Sequence, residues 1–322
     1  MSYQSGTVAT ATQLLDALRT FAVAQGWSEL RWGAQGTGYQ LSLQKGTRYV
    51  HLRSATAEAL RSGAVTGIAL TASTGWDSGQ PWNNQPGRII DTYNGGSVTA
   101  YSGLFNVSAA NTYRLFGSST PDQIMLVAEV SPGRFHHLAF GELEKFGAFN
   151  GGEWVRGGYT RNRTDSGGSG GIFGGNFKKH PRLPLMEFGV DTAAFVRAEV
   201  DAVAAWYTLQ GGSSPVTGKA ARSIWRDALS TPYGVSAAKG FLERAPNTLN
   251  GVTPMLPWQI WVDRPSNMLS PIGRTPHLRY LNITQYAAAE VFALGAEQWM
   301  AFPAHTKNGY SGVHGYAVRY QP

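Results

Sequence analysis

The chain has 322 residues, enough to bury a large core in one or two domains. With 42% hydrophobic and only 15% charged residues it is no disordered polypeptide, and its surface must rest on Ser, Thr, Asn, Gln and Gly. The absence of cysteine excludes disulfide frameworks, thiol nucleophiles and thiolate metal sites, while the diffuse net charge of +7 forms no stripe of the kind that reads nucleic acid.

Taken in order, Thr10 to Gln25 is the clearest helix. Thr10 stands at the cap, Gln13 at the reciprocal capping position, and Leu14, Leu15, Leu18 and Phe21 form one apolar stripe. Gly26 supplies the stop, and Trp27 folds back on the last turn. Tyr39–Leu43 and Arg48–Leu52 read as a hairpin, Ala55–Arg61 as a short helical turn, and Val65–Thr71 as a strand. That strand runs into the loop Ser73–Gly87, which carries Trp76 and Trp82 among side-chain amides. Such a loop either folds back on its own sheet, docks on a neighbouring subunit, or stacks on a sugar.

The strongest β signal is the apolar run Ile124–Val130, turned by Ser131-Pro132-Gly133 into Arg134–Phe140, a hairpin buried on at least one side. Arg48–Leu52 and Arg134–Leu138 echo each other, with His51 and His137 at matching places. Thr164–Gly175 is rich in glycine and serine and reads as a linker or arm. Phe195–Val200 with Trp206–Leu209 could form one helix by the spacing of Phe195, Val196, Val200 and Val203, but the alternation within Phe195–Val200 favours a strand; short helices are read at Arg222–Leu229 and Ser236–Arg244. Strands return at Trp258–Val262, Leu278–Ile283, Gln298–Phe302 and Gly315–Tyr320. The expected class is therefore α+β and predominantly antiparallel β, with the N-terminal helix packed on a sheet and then β-sandwich or barrel-like modules. The expected division is 1–163, a flexible 164–180, and 181–322.

Motifs of chemistry fail on inspection. Gly167–Gly171 has the letters of a nucleophile elbow without the strand and helix that strain it. Gly211–Ala220 lacks the glycine and hydroxyl of a phosphate loop. The seven histidines show no zinc spacing, since the neighbours His136 and His137 point to opposite faces of a strand. Glu142, Glu144 and Glu153 beside aromatic rings are the least a glycosidase needs, but solvation or pairing with Lys145 or Arg156 is the expected state. No enzyme activity, cofactor or metal is expected. No run reaches transmembrane length, and no secretory signal is seen in the first residues.

Met1–Trp27, the tryptophan loop Thr74–Trp82 with Gln85–Gly87, the middle segments Tyr113–Gly117, Phe140–Lys145 and Gly151–Trp154, and the late segments Ser270–Gly273, Trp299–Pro303 and Gly315–Tyr320 carry a resemblance. Together they resemble a family of structural proteins from tailed-bacteriophage virions, leaving roughly 191–256 unmatched. The resemblance implies a component of the baseplate or tail, then the neck or collar, then capsid decoration, synthesised and assembled in the host cytoplasm and resident in the virion. The implied partners are other copies of the chain and other virion proteins, with a host surface glycan as the alternative for a tail-tip module. No specific nucleic acid and no membrane insertion are implied. The residues expected at interfaces are Trp76, Trp82, Tyr93, Trp154, Arg161 and Arg163.

Overall fold

The computed structural model describes residues 1–59, 64–92, 98–105, 107, 111–157, 159–160, 194–209, 217–223, 255–304, 307 and 313–322. The chain opens with β1 (Ser2–Val8) and α1 (Ala11–Ala24), then β2 (Ser28–Gln35), β3 (Gly38–Lys45), β4 (Arg48–Ala59) and β5 (Ala64–Ser73). Short pieces β6 (Ile90–Asp91), β7 (Val98–Thr99) and β8 (Ser102–Phe105) lead to β9 (Asn111–Ser119), β10 (Asp122–Ser131) and β11 (Arg134–Glu142). Next come β12 (Glu144–Lys145), β13 (Gly151–Gly157), β14 (Tyr159–Thr160), β15 (Ala194–Val200), β16 (Val203–Leu209) and β17 (Ala220–Ser223). The last are β18 (Leu256–Arg264), β19 (Met268–Asn282), β20 (Val291–Leu294), β21 (Glu297–Pro303) and β22 (His314–Tyr320).

α1 forms where local chemistry placed it. Thr10 Oγ1 accepts from the Gln13 N–H at 3.1 Å, and Gln13 Oε1 accepts from the Ala9 N–H at 2.8 Å. Gly26 at φ +84° ends the helix, and the Trp27 N–H donates back to the Ala22 carbonyl.

Two sheets carry the rest. The small one runs β14-β8-β5-β4-β3-β2; the large one runs β1-β9-β10-β11-β13-β15-β16-β17-β18-β19-β22-β21-β20, with β12 added against β19. Every described pairing is antiparallel except β16 with β17. The large sheet does not close into a barrel. Its hydrogen-bonded path is open, ending at β1 and β20, although Tyr3 and Tyr320 rings meet edge to face at 4.9 Å where β1 nears β22.

The unbroken apolar run of β10 follows from its position. Ile124, Leu126 and Ala128 face a first core with Leu14, Leu18 and Phe21 of α1 and Leu41, Leu52 and Leu70 of the small sheet. Met125 and Val127 face a second core with Trp154, Trp258, Tyr280, Phe302 and Tyr316. Because side chains alternate along a strand, a strand walled by two cores must be apolar at every position. β9, β11, β13 and β15 share this wall, as the pairs Leu115/Phe116, Phe140/Ala139, Val155/Trp154 and Phe195/Val196 divide between the cores.

Three expectations change. Ala55–Arg61 is no helical turn through Ala59. β4 continues there across a bulge between Ala55 and Glu58, with Ala57 at φ 49°, and Glu58 is pulled in by the Thr37 N–H and hydroxyl, each at 2.9 Å, and by Arg53. Arg222 and Ser223 belong to a strand; 224–229 and Ser236–Arg244 lie outside the described residues, as does Thr164–Gly175. Finally, β13 bonds directly to β15 in the register Trp154↔Val196, so strands from before and after the expected division at 164–180 share one sheet and both cores.

Candidate functional site

The tryptophan loop is a braced structure on the outer face of the small sheet. Gln85, fully buried, is its hub. Its Oε1 accepts from the Asp77 N–H at 2.8 Å, and its Nε2 donates to the carbonyls of Asp77, Gln80 and Pro81 at 3.0–3.1 Å. The neck is closed by the Thr74 and Gly75 N–H groups, both donating to the Pro86 carbonyl at 3.2 Å. Arg31 on β2 donates to the carbonyls of Ser78 and Gln80 and lays its guanidinium 4.6 Å over the Trp76 ring.

His51 anchors the loop from below. Its ring stacks on Trp76 at 5.9 Å, with Nδ1 3.0 Å from Ser42 Oγ and Nε2 2.7 Å from Ser73 Oγ. The Ser73 hydroxyl spends its proton on the Gly75 carbonyl at 2.6 Å, so it accepts from His51 Nε2–H, and Nδ1 accepts from Ser42. Burial, then the Arg31 charge, pushes the His51 pKa down to about 3, which fixes the neutral ring.

Of the expected interface residues, Trp76 is partly exposed at the surface of this loop. Trp82 is 2% exposed and packs at 5.9 Å from Tyr101, and Trp154 is 1% exposed inside the second core. Both rings are spent within their own chain and offer no anchor to a neighbour, because the loop folds back on its sheet and Trp154 alternates inward. Trp76 and Trp154 therefore do not form one surface. Tyr93, Arg161 and Arg163 lie outside the described residues.

The bracing gives a direct test. Gln85→Leu keeps the bulk but strands the Asp77 N–H and takes one of two donors from each of the Asp77, Gln80 and Pro81 carbonyls, and is expected to destabilise the loop by about 2 kcal/mol. Amide exchange at Asp77 reads it out; unchanged protection would contradict the hub role.

The three glutamates are ion-paired. Glu142 meets Arg48 and Lys145, Glu153 meets Arg197 at 3.2 Å, and Glu144 takes Arg274 in a two-point contact at 2.7 and 2.9 Å. The Arg274 hydrogen bond holds the Glu144 carboxyl below the usual range, opposite to what a general acid requires. Among the described residues no group of three His, Asp or Glu side chains could hold a metal, and no helix is long and apolar enough to cross a membrane.

The feature that sequence reading missed is an apolar rim. Among the described residues β20 pairs with β21 alone and ends the large sheet; its residues Val291, Phe292, Ala293 and Leu294 include no charge and no proline, and Val291 and Leu294 are 42% and 47% exposed. Natural sheet edges are normally blunted by charge, proline or a bulge. Elsewhere, Val203 beside the β15–β16 turn and Met268 and Leu269 after the β18 end are each about half exposed, and Arg264 ties those two tips together through Asp201. A four-residue apolar piece before Gly295 reads as an ordinary buried strand, and only its place in the sheet exposes it. No protein-family model matches the chain, and no curated protein matches it.

Proposed function

We propose that the chain is a structural component of a tailed-bacteriophage virion, in the tail, baseplate or neck, that assembles by contacts with further copies of itself and with other virion proteins. The observation that carries this reading is the uncharged free edge at β20, with Val291 and Leu294 standing open to solvent. An unpaired strand edge offers main-chain donors and acceptors for β-augmentation, and the apolar side chains add desolvation energy once a partner strand is laid down. The sandwich-like stack of the small sheet and α1 on the large sheet supplies the rigid body that repeated contacts need. The kind of particle proposed rests on the sequence resemblance.

The double variant Val291→Asp with Leu294→Asp tests it. Incorporation into particles, or self-association by sedimentation, is expected to drop at least about tenfold while the circular dichroism spectrum and melting temperature hold. Wild-type incorporation and wild-type sedimentation of the variant would count against the reading. A glycan-binding loop has less support, because Trp82 is buried and the Trp76 ring is engaged by Arg31 and His51. Trp76→Ala particles that assemble but fail to adsorb to host cells would favour it.

A further inference from the structure

At the flank of the second core lies a small, partly open cavity, with ≈ 10 Å³ accessible to the centre of a water molecule, walled by apolar side chains such as Phe116, Met125 and Val318 together with Met1, Trp154 and His277. That volume is about the least that admits one water. Two of the polar atoms on its lining residues, Trp154 Nε1 and His277 Nδ1, are buried and have no hydrogen-bond partner among the described residues. Gln123, also on the wall, uses its amide nitrogen on the Glu142 carbonyl at 3.0 Å.

The chemistry of the two open atoms is fixed. Trp154 can only donate. His277 Nε2 lies 3.1 Å from the Thr120 carbonyl, which can only accept, so Nε2 carries the proton and Nδ1 presents a lone pair. Burial lowers the His277 pKa most, the Thr120 bond opposes this, and the charges of Arg319, the amino terminus and Arg279 lower it further, which keeps the ring neutral. Trp154 and His277 thus bring one donor and one acceptor to the cavity. An anion would meet the Nδ1 lone pair, a cation would meet the indole N–H, and an apolar occupant would leave both atoms unpaired.

We propose that this cavity binds one ordered water, which accepts from Trp154 Nε1–H and donates to His277 Nδ1, as a structural ligand of the second core. It joins β13 to β19. The inference is independent of the virion reading, since it concerns the folded chain alone.

A high-resolution crystal structure of the full chain, paired with ¹⁵N NMR of the His277 ring, tests it. The expected result is one peak within about 2.7–3.2 Å of both nitrogens, refining as water, with the proton of His277 on Nε2. Trp154→Phe is expected to lose that peak. An empty cavity, a peak that refines as an ion, or a proton on Nδ1 would each overturn the proposal. Should Trp154→Phe fail to fold, the wild-type density and tautomer still decide.

Discussion

Gly157→Ala is expected to cost about 3 kcal/mol, a large part of the roughly 5–15 kcal/mol margin of a typical domain. A methyl group at this position would lie 2.4 Å from the Gly103 nitrogen and 2.6 Å from its carbonyl oxygen, against backbone that cannot swing aside. The contact has a cause in the topology. β13 belongs to the large sheet, with Gly157 opposite Leu138, whereas β14, two residues on, pairs with β8 of the small sheet, with Tyr159 opposite Gly103. The chain crosses from one sheet to the other here, and the two backbones approach closely because both positions are glycine. Gly33→Ala is the control, since a methyl group there meets nothing within 4 Å and its φ is unremarkable. Urea denaturation of the two variants decides the matter: equal midpoints would refute the close-approach argument.

Acid should weaken the fold well before carboxylates begin to protonate. His51 and His137 are both buried and held neutral, His51 by burial and then Arg31, His137 by burial and then the charges of Arg156 and His136. Their pKa values are lowered in the folded state, so the unfolded chain binds more protons once the pH falls below the ordinary histidine value of about 6.5. The stability these rings allow is complete above that pH and is lost progressively as pH falls toward their folded values. Each contributes a slope of up to about 1.4 kcal/mol per pH unit, and for His51 the loss reaches about 4–5 kcal/mol by pH 3. Between pH 6.5 and 5.5 the paired carboxylates Glu58 and Glu144, lowered from 4.5, stay roughly nine-tenths or more ionised in both states, so that interval isolates the histidines. Denaturation midpoints of His51→Gln are expected to fall less steeply over that interval than those of the wild type, by one proton's worth of slope. Parallel curves would show that His51 is not the group responsible.

Much of the architecture was legible because it is locally written. Thr10, Gln13 and Gly26 bound α1 through contacts within four residues, and Gly46 and Gly133, at φ +59° and +71°, turn the two hairpins where the sequence placed them. What stayed hidden is non-local. Nothing near Ser2–Val8 announces its pairing with β9 more than a hundred residues away, and nothing in the Thr164–Gly175 composition reveals that β13 and β15 are neighbours. The candidate site divides the same way. Two tryptophans in a polar loop signalled a special surface, but the amide hub at Gln85 that turns Trp82 inward depends on carbonyls presented only in the folded loop. The exposure of Val291 and Leu294 depends on β20 being last in the sheet, a matter of rank and not of residue type.

The strands packed on both sides carry a thermodynamic consequence. A partition common to two compartments cannot be withdrawn from one without baring the other, so the helix-bearing half and the half holding Trp258 and Phe302 are expected to melt as a single cooperative unit. A lesion in either is felt throughout, and a particle built from such subunits would receive each of them wholly folded or not at all.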